Sequence, residues 1–154
     1  MSSKEAIDLD RNAIVLSASR GIGFAAARCL YESGYRVFIN SRNRRNLEQA
    51  RRKLFRSSGR DEGRIVLAPF DINDIQASNI GLKKIIEASR GKIDVLVTNA
   101  VDIQYVDRTR ENKNSNEWER VISSHFRSMV HVIETIAPLM IDHNRGRIVN
   151  ISTQ

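Results

Sequence analysis

The chain has 154 residues, 41% of them hydrophobic and 28% charged, with a formal net charge of +7, which is typical of a soluble protein with a sizeable core. No apolar run approaches the roughly 18 residues that a membrane helix needs, and the polar N-terminus MSSKEAIDLDRN is unlike a signal peptide. We therefore expect one domain over residues 1–154, no membrane contact and a cytoplasmic location.

Five β-branched runs predict strands, and the stretches between them have helical periodicity. The predicted strands are 12–16, 35–40, 64–68, 93–98 and 147–151, and the predicted helices are 22–33, 44–57, 73–89 and 115–141. Because a helix separates every two consecutive strands, right-handed crossovers make the strands parallel. The pattern predicts an α/β fold with a doubly wound parallel sheet. The single cysteine, Cys29, excludes an intrachain disulfide, and we expect it to be buried in the first helix.

The stretch IVLSASRGIGFAAA, residues 14–27, joins the first strand to the first helix through a turn that contains two glycines. A strand, a tight turn and a helix start leave several backbone N–H groups directed at one spot, where the helix dipole also favours negative charge. Gly21 and Gly23 would let the backbone approach a ligand and let the helix pack near the strand. The turn therefore predicts a site for a diphosphate.

Basic side chains are concentrated in residues 42–64, which hold nine arginines and lysines against three acidic residues. Three interpretations are open: a solvated helix face, a contact with a phosphate on a small ligand, and a nucleic-acid surface. The nucleic-acid interpretation is the weakest because no aromatic residues are interleaved with the cations.

The turn resembles the nucleotide-binding turn TGxxxGxG of the short-chain dehydrogenases/reductases, because LSASRGIG at residues 16–23 keeps its last two glycines. Ser17 replaces the first glycine of that pattern; if the backbone there has positive φ, the serine would carry strain of about 1–3 kcal/mol. The resemblance implies a Rossmann-type sheet of strand order 3-2-1-4-5. It also implies that the turn holds a nicotinamide dinucleotide through Ser17, Ser19, Arg20, Gly21, Ile22 and Gly23.

The end of the second strand, FINSRN, resembles the family members that prefer NADP(H). A carboxylate at this place would accept a hydrogen bond from the free 2′-hydroxyl of NAD, whereas Ser41 and Arg42 offer a hydroxyl and a planar cation instead. Arg20 in the turn adds a second cation. We therefore expect NADP(H) to be favoured over NAD(H).

Two further segments resemble the family's cofactor contacts. APFDIND has Asp71 and Ile72 where the family contacts the adenine, although a helix N-cap is an alternative role for Asp71. LVTNAV is similar to the family's LVNNAG and keeps Asn99 and Ala100. Thr98 and Val101 replace the other two residues of that motif, and the β-branched Val101 restricts the turn beside the nicotinamide ribose.

The catalytic candidates follow from the same resemblance. NEWERVISSHFRSM is similar to the helix that carries the family's active-site asparagine, and His125 stands at the corresponding position, with a histidine at the edge of the core as the alternative. GRIVNIST resembles the motif that ends in the catalytic serine and has Thr153 in its place, beside Ser152. A threonine hydroxyl can still donate a hydrogen bond to a substrate carbonyl.

The family's proton-donating pair, YxxxK, has no match in this sequence, because none of Tyr31, Tyr35 and Tyr105 is followed four residues later by lysine. In the family the tyrosine protonates the carbonyl oxygen as hydride arrives, and the lysine lowers the tyrosine pKa. We expect the resemblance to cover the first, cofactor-binding part of the family's domain only.

With two helices on each face of the sheet, strands four and five lack a cover. Half of the apolar side chains among Ile93, Val95, Val97, Ile148 and Ile151 would then face water, beside an open edge. We expect a marginal monomer that self-associates through the fourth helix or this edge, pairs with another polypeptide, or belongs to a longer product.

Two functions remain in view. The first is an NADP(H)-dependent oxidoreductase that moves hydride between the cofactor and a small carbonyl or alcohol substrate. The second is a catalytically incompetent dinucleotide-binding or interaction module, which the missing YxxxK pair favours. We expect the chain to form a homo-oligomer, and no metal site is predicted.

Overall fold

The computed structural model describes residues 11–59, 61–99 and 126–151. The strands in these ranges are β1 (Asn12–Val15), β2 (Arg36–Ser41), β3 (Ile65–Pro69), β4 (Val95–Thr98) and β5 (Arg147–Asn150). The helices are α1 (Gly21–Glu32), α2 (Arg44–Ser58), α3 (Ile75–Ala88) and α4 (Ser128–Asp142), with a short 3₁₀ turn at Glu62–Arg64. The first part of the predicted fourth helix, 115–125, lies outside the described residues.

The strands pair in the order β3-β2-β1-β4-β5, and each neighbouring pair is parallel. This confirms the predicted Rossmann-type sheet. Parallel strands joined by helices have all their carboxyl ends at one edge, with α1 following β1 there and α2 following β2. That edge is where the predicted cofactor residues come together.

The two faces of the sheet carry two separate cores, because successive residues of a strand point to opposite faces. In β1, Ala13 and Val15 pack with α1 and α2, whereas Ile14 packs with α3 and α4. No described helix is long and apolar enough to pass through a lipid bilayer.

The expectation that strand four is half uncovered was wrong. Val95 and Val97 are 8% and 4% exposed and pack in the same core as Ala27 of α1, while Ile93 is buried on the opposite face. Of the five residues expected to face water, Ile148 of β5 is the one classed as exposed, at 40%.

The expected burial of Cys29 was also wrong, because its side chain is exposed. The buried residues of α1 are Gly23, Ala27 and Tyr31, spaced by four along the helix. Cys29 follows Ala27 by two residues, which is about 200° around the helix axis, so it lies on the solvent side.

The edge strand β5 is tied to β4 at both ends. At the amino end, the Asp94 carboxylate accepts from the Asn12 backbone N–H at 2.8 Å and pairs with the Arg145 guanidinium at 2.9 Å. At the carboxyl end, the Thr98 hydroxyl donates to the Asn150 side-chain oxygen at 2.9 Å. These contacts hold β4 and β5 together at both ends. The predicted cofactor and catalytic residues follow the carboxyl ends of these two strands.

Candidate cofactor-binding site

The turn between β1 and α1 is tied to the strands on both sides of β1. The Leu16 backbone N–H donates to the Val97 carbonyl at 2.9 Å, and the Ala18 N–H donates to the Asn40 carbonyl at 2.8 Å. Between them Ser17 has φ +51°, so the positive φ considered from the sequence is present. A non-glycine residue in this left-handed region costs about 1–3 kcal/mol.

Gly23 lies where two elements meet. A Cβ on this residue would lie 2.5 Å from the Ser17 carbonyl oxygen and 2.7 Å from the Asn99 side-chain nitrogen. Gly21 differs, because it has φ +59° and nothing within 4 Å of a Cβ. Gly23 therefore leaves room for the Ser17 carbonyl and the Asn99 side chain, whereas Gly21 allows a backbone with positive φ.

The start of α1 is suited to an anion. Arg20 precedes the helix with an extended backbone and makes no side-chain capping hydrogen bond, so the first helical N–H groups have no cap from that residue. Arg20 and Gly21 are exposed, and Ile22 is 63% exposed. An open helix N-terminus beside a cradle that a Cβ would fill fits the diphosphate of a dinucleotide.

A positively charged side chain, that of Arg42, follows the carboxyl end of β2. Ser41 is the last residue of β2 and is half-buried, and Arg42 follows it with an exposed side chain. Asn43 then caps α2 by accepting from the Asn46 N–H at 3.2 Å. The Ala18–Asn40 hydrogen bond brings this strand end next to the nucleotide turn.

Most of the basic cluster lies on exposed positions of α2, as the solvated-face interpretation predicts. Arg44 pairs with Glu48 at 3.2 Å, and Arg51 pairs with Glu62 at 3.1 Å. Exposed ion pairs of this kind contribute about 0–1 kcal/mol. Two of the positive charges in this segment are therefore paired with acidic residues of the same segment.

At the end of β3, Asp71 accepts from the Asn73 backbone N–H at 2.9 Å and does not cap α3. The cap is Asp74, whose carboxylate accepts from the Gln76 and Ala77 N–H groups at 3.0 Å each. The N-cap alternative for Asp71 was therefore wrong. Ile72 is 7% exposed and belongs to the core between the sheet and the α3–α4 side.

The end of β4 brings Asn99 beside Gly23, and thus beside the nucleotide turn. The remaining predicted site residues, which are Ala100, His125, Ser152 and Thr153, lie outside the described residues, as does Val101. For these residues the roles stay predictions.

Sequence reasoning missed Asn40. Its side chain is 2% exposed, and its amide nitrogen donates to the carbonyls of Ala68 at 2.9 Å and Phe70 at 3.1 Å. Its own carbonyl accepts from Ala18, so one residue holds the ends of β1, β2 and β3 together. The available signal was an amide side chain at the end of an otherwise apolar buried strand.

Residues 11–154 match the family model described as short chain dehydrogenase. The chain belongs to the short-chain dehydrogenase family. Gluconate 5-dehydrogenase of Gluconobacter oxydans is 35% identical over 140 residues, covering 90% of this chain and 52% of that protein. A 3-oxoacyl-[acyl-carrier-protein] reductase of Staphylococcus aureus is 29% identical over 149 residues, covering 94% of this chain and 56% of that protein.

Among solved structures, a metagenomic short-chain oxidoreductase in complex with NADP superposes with a TM-score of 0.79 at 29% identity, covering 94% of this chain and 63% of that one. The chain spans about half the length of the two curated short-chain dehydrogenase relatives above. The family accounts for the combination of the parallel sheet, the glycine turn and the residues at the neighbouring strand ends.

Proposed function

We propose that this chain binds NADP(H) and serves hydride transfer between the nicotinamide and a small carbonyl or alcohol. The observation that carries the proposal is the exposed Arg42, which follows β2 next to the tied nucleotide turn. A guanidinium matches a phosphate in charge and in its fork of donors. The neighbour solved in complex with NADP supports the same cofactor.

Each binding residue has a proposed role. Backbone N–H groups of Ser17 and of Ser19 to Gly23 hold the diphosphate, with Ser19, Arg20 and the Ile22 amide in that segment, whereas the Ala18 N–H is already bonded to the Asn40 carbonyl. Ser41 and Arg42 hold the ribose 2′-phosphate. Asp71 and the backbone of Ile72 border the adenine, while Asn99 and Ala100 border the ribose beside the nicotinamide. When bound, the cofactor supplies or accepts the hydride.

The substrate side of the proposal concerns Thr153, Ser152 and His125. The Thr153 hydroxyl would donate a hydrogen bond to the substrate oxygen, which stabilises negative charge as hydride arrives at the carbonyl carbon. Ser152 is an adjacent donor, and the His125 imidazole would support this end of the cleft. Which carbonyl compound enters depends on parts of the family domain beyond these residues.

Arg42→Ala tests the cofactor assignment. We expect NADPH affinity to fall about 30-fold, because charge-assisted hydrogen bonds to a phosphate contribute about 2 kcal/mol, and NADH affinity to change little. Titration followed by nicotinamide fluorescence measures both. Arg52→Ala, on an exposed position of α2, is the matched control. Unchanged selectivity between the two cofactors in Arg42→Ala would reject the phosphate contact.

Ser17→Gly tests the strained turn. Relief of the left-handed strain exceeds the conformational entropy that glycine loses on folding, so we expect the free energy of unfolding to rise by about 1 kcal/mol. NADPH should also bind a few times more tightly, because the hydroxymethyl group leaves the anion pocket.

Ser19→Gly is the control, because Ser19 is not among the described residues with positive φ. It should be destabilising, by about 0.5–1 kcal/mol. Destabilisation of both variants by a similar amount in urea unfolding would contradict the strain argument.

A non-catalytic dinucleotide-binding module is the second candidate. Tyr31 of α1 is fully buried and its hydroxyl donates to the Asp61 backbone carbonyl at 3.2 Å, so this tyrosine is not placed to protonate a substrate. Saturable NADPH binding with no NADPH oxidation by a panel of ketones and aldehydes favours this candidate. Oxidation that depends on the Thr153 hydroxyl favours the oxidoreductase.

Self-association through the fourth helix also remains a proposal. On α4, Ile141 is 75% exposed, and Ile148 of β5, which pairs with Leu96 and so lies on the α3–α4 face of the sheet, is 40% exposed. Burial of this apolar surface against a second copy would stabilise the chain. A single domain over residues 1–154 in the cytoplasm stays the expectation from the sequence.

A further inference from the structure

A cavity of about 450 Å³ lies at the free edge of the sheet, between β3 and α3. Its apolar wall is formed by Phe38 of β2, by Val66 and Phe70 around β3, and by Ile85 of α3. None of the predicted cofactor residues that the structure describes lines it. This volume lies within the range of small-molecule sites, which are mostly apolar with a few polar groups.

Two small residues border this space. Ala77 and Gly81 of α3 face the cavity, and a Cβ on Gly81 would lie 2.1 Å from the Phe70 ring. A glycine inside a helix costs about 1 kcal/mol relative to alanine. At position 81 this cost accompanies close packing of the Phe70 ring against α3. The cavity beside that ring is a built feature of the packing between β3 and α3.

The solvent side of the cavity carries two cations. Arg44 at the start of α2 and Lys84 on α3 both border it, and both side chains are exposed. Lys84 makes no ion pair with any described residue, whereas Arg44 pairs with Glu48 at 3.2 Å. An exposed pair of this kind is weak enough to exchange partners.

We propose that this β3–α3 cavity binds an amphipathic carboxylate, with its hydrocarbon part against Phe38, Phe70 and Ile85 and its carboxylate between Arg44 and Lys84. An apolar interior and a cationic rim select for an apolar body with a terminal anion over a neutral or cationic analogue. Such a site lies outside the cofactor cleft and is independent of hydride transfer.

Decanoate, below its micelle concentration, is the probe, with decanol and decyltrimethylammonium as neutral and cationic analogues. Isothermal titration calorimetry of the full chain should give saturable decanoate binding, weaker decanol binding and none for the cation. Intermolecular NOEs from decanoate to the methyl groups of Ile80 and Ile85 should locate the ligand. Equal affinity for all three probes, or NOEs confined to other residues, would overturn the proposal.

Surface variants separate the charges from the cavity. Lys84→Gln should weaken decanoate binding threefold to fivefold and leave decanol unchanged. Arg44→Gln should weaken it more, because it also leaves the Glu48 carboxylate unpaired near the rim. Lys83→Gln, an exposed neighbour on α3 that does not line the cavity, is the matched control, and a loss equal to that of Lys84→Gln would contradict the site.

Ala77→Leu tests the interior by filling it. Binding of both decanoate and decanol should be lost, while circular dichroism shows an unchanged fold. Retained decanoate affinity in the folded variant would place the ligand elsewhere. If Ala77→Leu does not fold, the charge variants and the NOEs still decide the question, because both leave the core intact.

Discussion

Replacing Gly23 by alanine is expected to lower the free energy of unfolding by about 3 kcal/mol, the upper part of the range for overpacking a well-packed site. The new methyl would lie 2.5 Å from the Ser17 carbonyl oxygen and 2.7 Å from the Asn99 side-chain nitrogen. The carbonyl belongs to a backbone turn held by neighbouring strands, so it has little freedom to move. Urea unfolding measures the loss of stability.

The same variant should lose most NADPH affinity, because relief of the contact moves α1 away from the turn and separates the amides that the diphosphate needs. Gly21→Ala is the matched control, since its φ is +59° but nothing lies within 4 Å of its Cβ. That variant should cost only the left-handed penalty of about 1–2 kcal/mol. A larger loss in Gly21→Ala than in Gly23→Ala would show that close approach is not what matters at this site.

The fold was predictable because its signals are local. β-branched runs alternate with helical periods, and that alternation leaves parallel pairing as the simple solution. The Rossmann-type order came from the resemblance of LSASRGIG and the later motifs, and the sheet confirms it. Strand ends differ from the prediction by a residue or two, which reflects fraying at the ends of elements.

The two errors about burial have one physical origin, which is that burial depends on how elements pack. Cys29 lies in an apolar helix segment, but the buried row of α1 runs through Ala27 and Tyr31. β4 lacks a helix of its own on one face, yet Val97 is buried in the same core as Ala27 of α1. Composition and periodicity identify a helix and its apolar residues, but they do not state how far a neighbouring helix reaches.

The candidate site was predictable where chemistry lies within one segment, as in the glycine turn with Ser17 at positive φ. Contacts between distant segments were not, because no local pattern pairs Thr98 with Asn150 or Asn40 with the end of β3. Asp71 shows the same limit on a smaller scale. Two aspartates near a helix start compete for the cap, and the geometry assigns it to Asp74.

Asn40→Asp is expected to cost about 3–5 kcal/mol of stability, the range for leaving a buried charge uncompensated. The change keeps the shape of the side chain but removes both N–H donors and directs a carboxylate at the carbonyl oxygens of Ala68 and Phe70. With a side chain only 2% exposed, water cannot replace the lost partners. Urea unfolding at neutral pH measures the effect.

Asn46→Asp makes the same chemical change on an exposed position in the first turn of α2, where a negative charge is neutral or slightly stabilising. Comparable unfolding free energies for the two variants would contradict the role of Asn40 in holding the ends of β1, β2 and β3 together. The loss in Asn40→Asp should extend to cofactor binding, because β3 is released just before Asp71 and Ile72. A single amide therefore couples the stability of the sheet to the geometry of the edge at which the dinucleotide is proposed to bind.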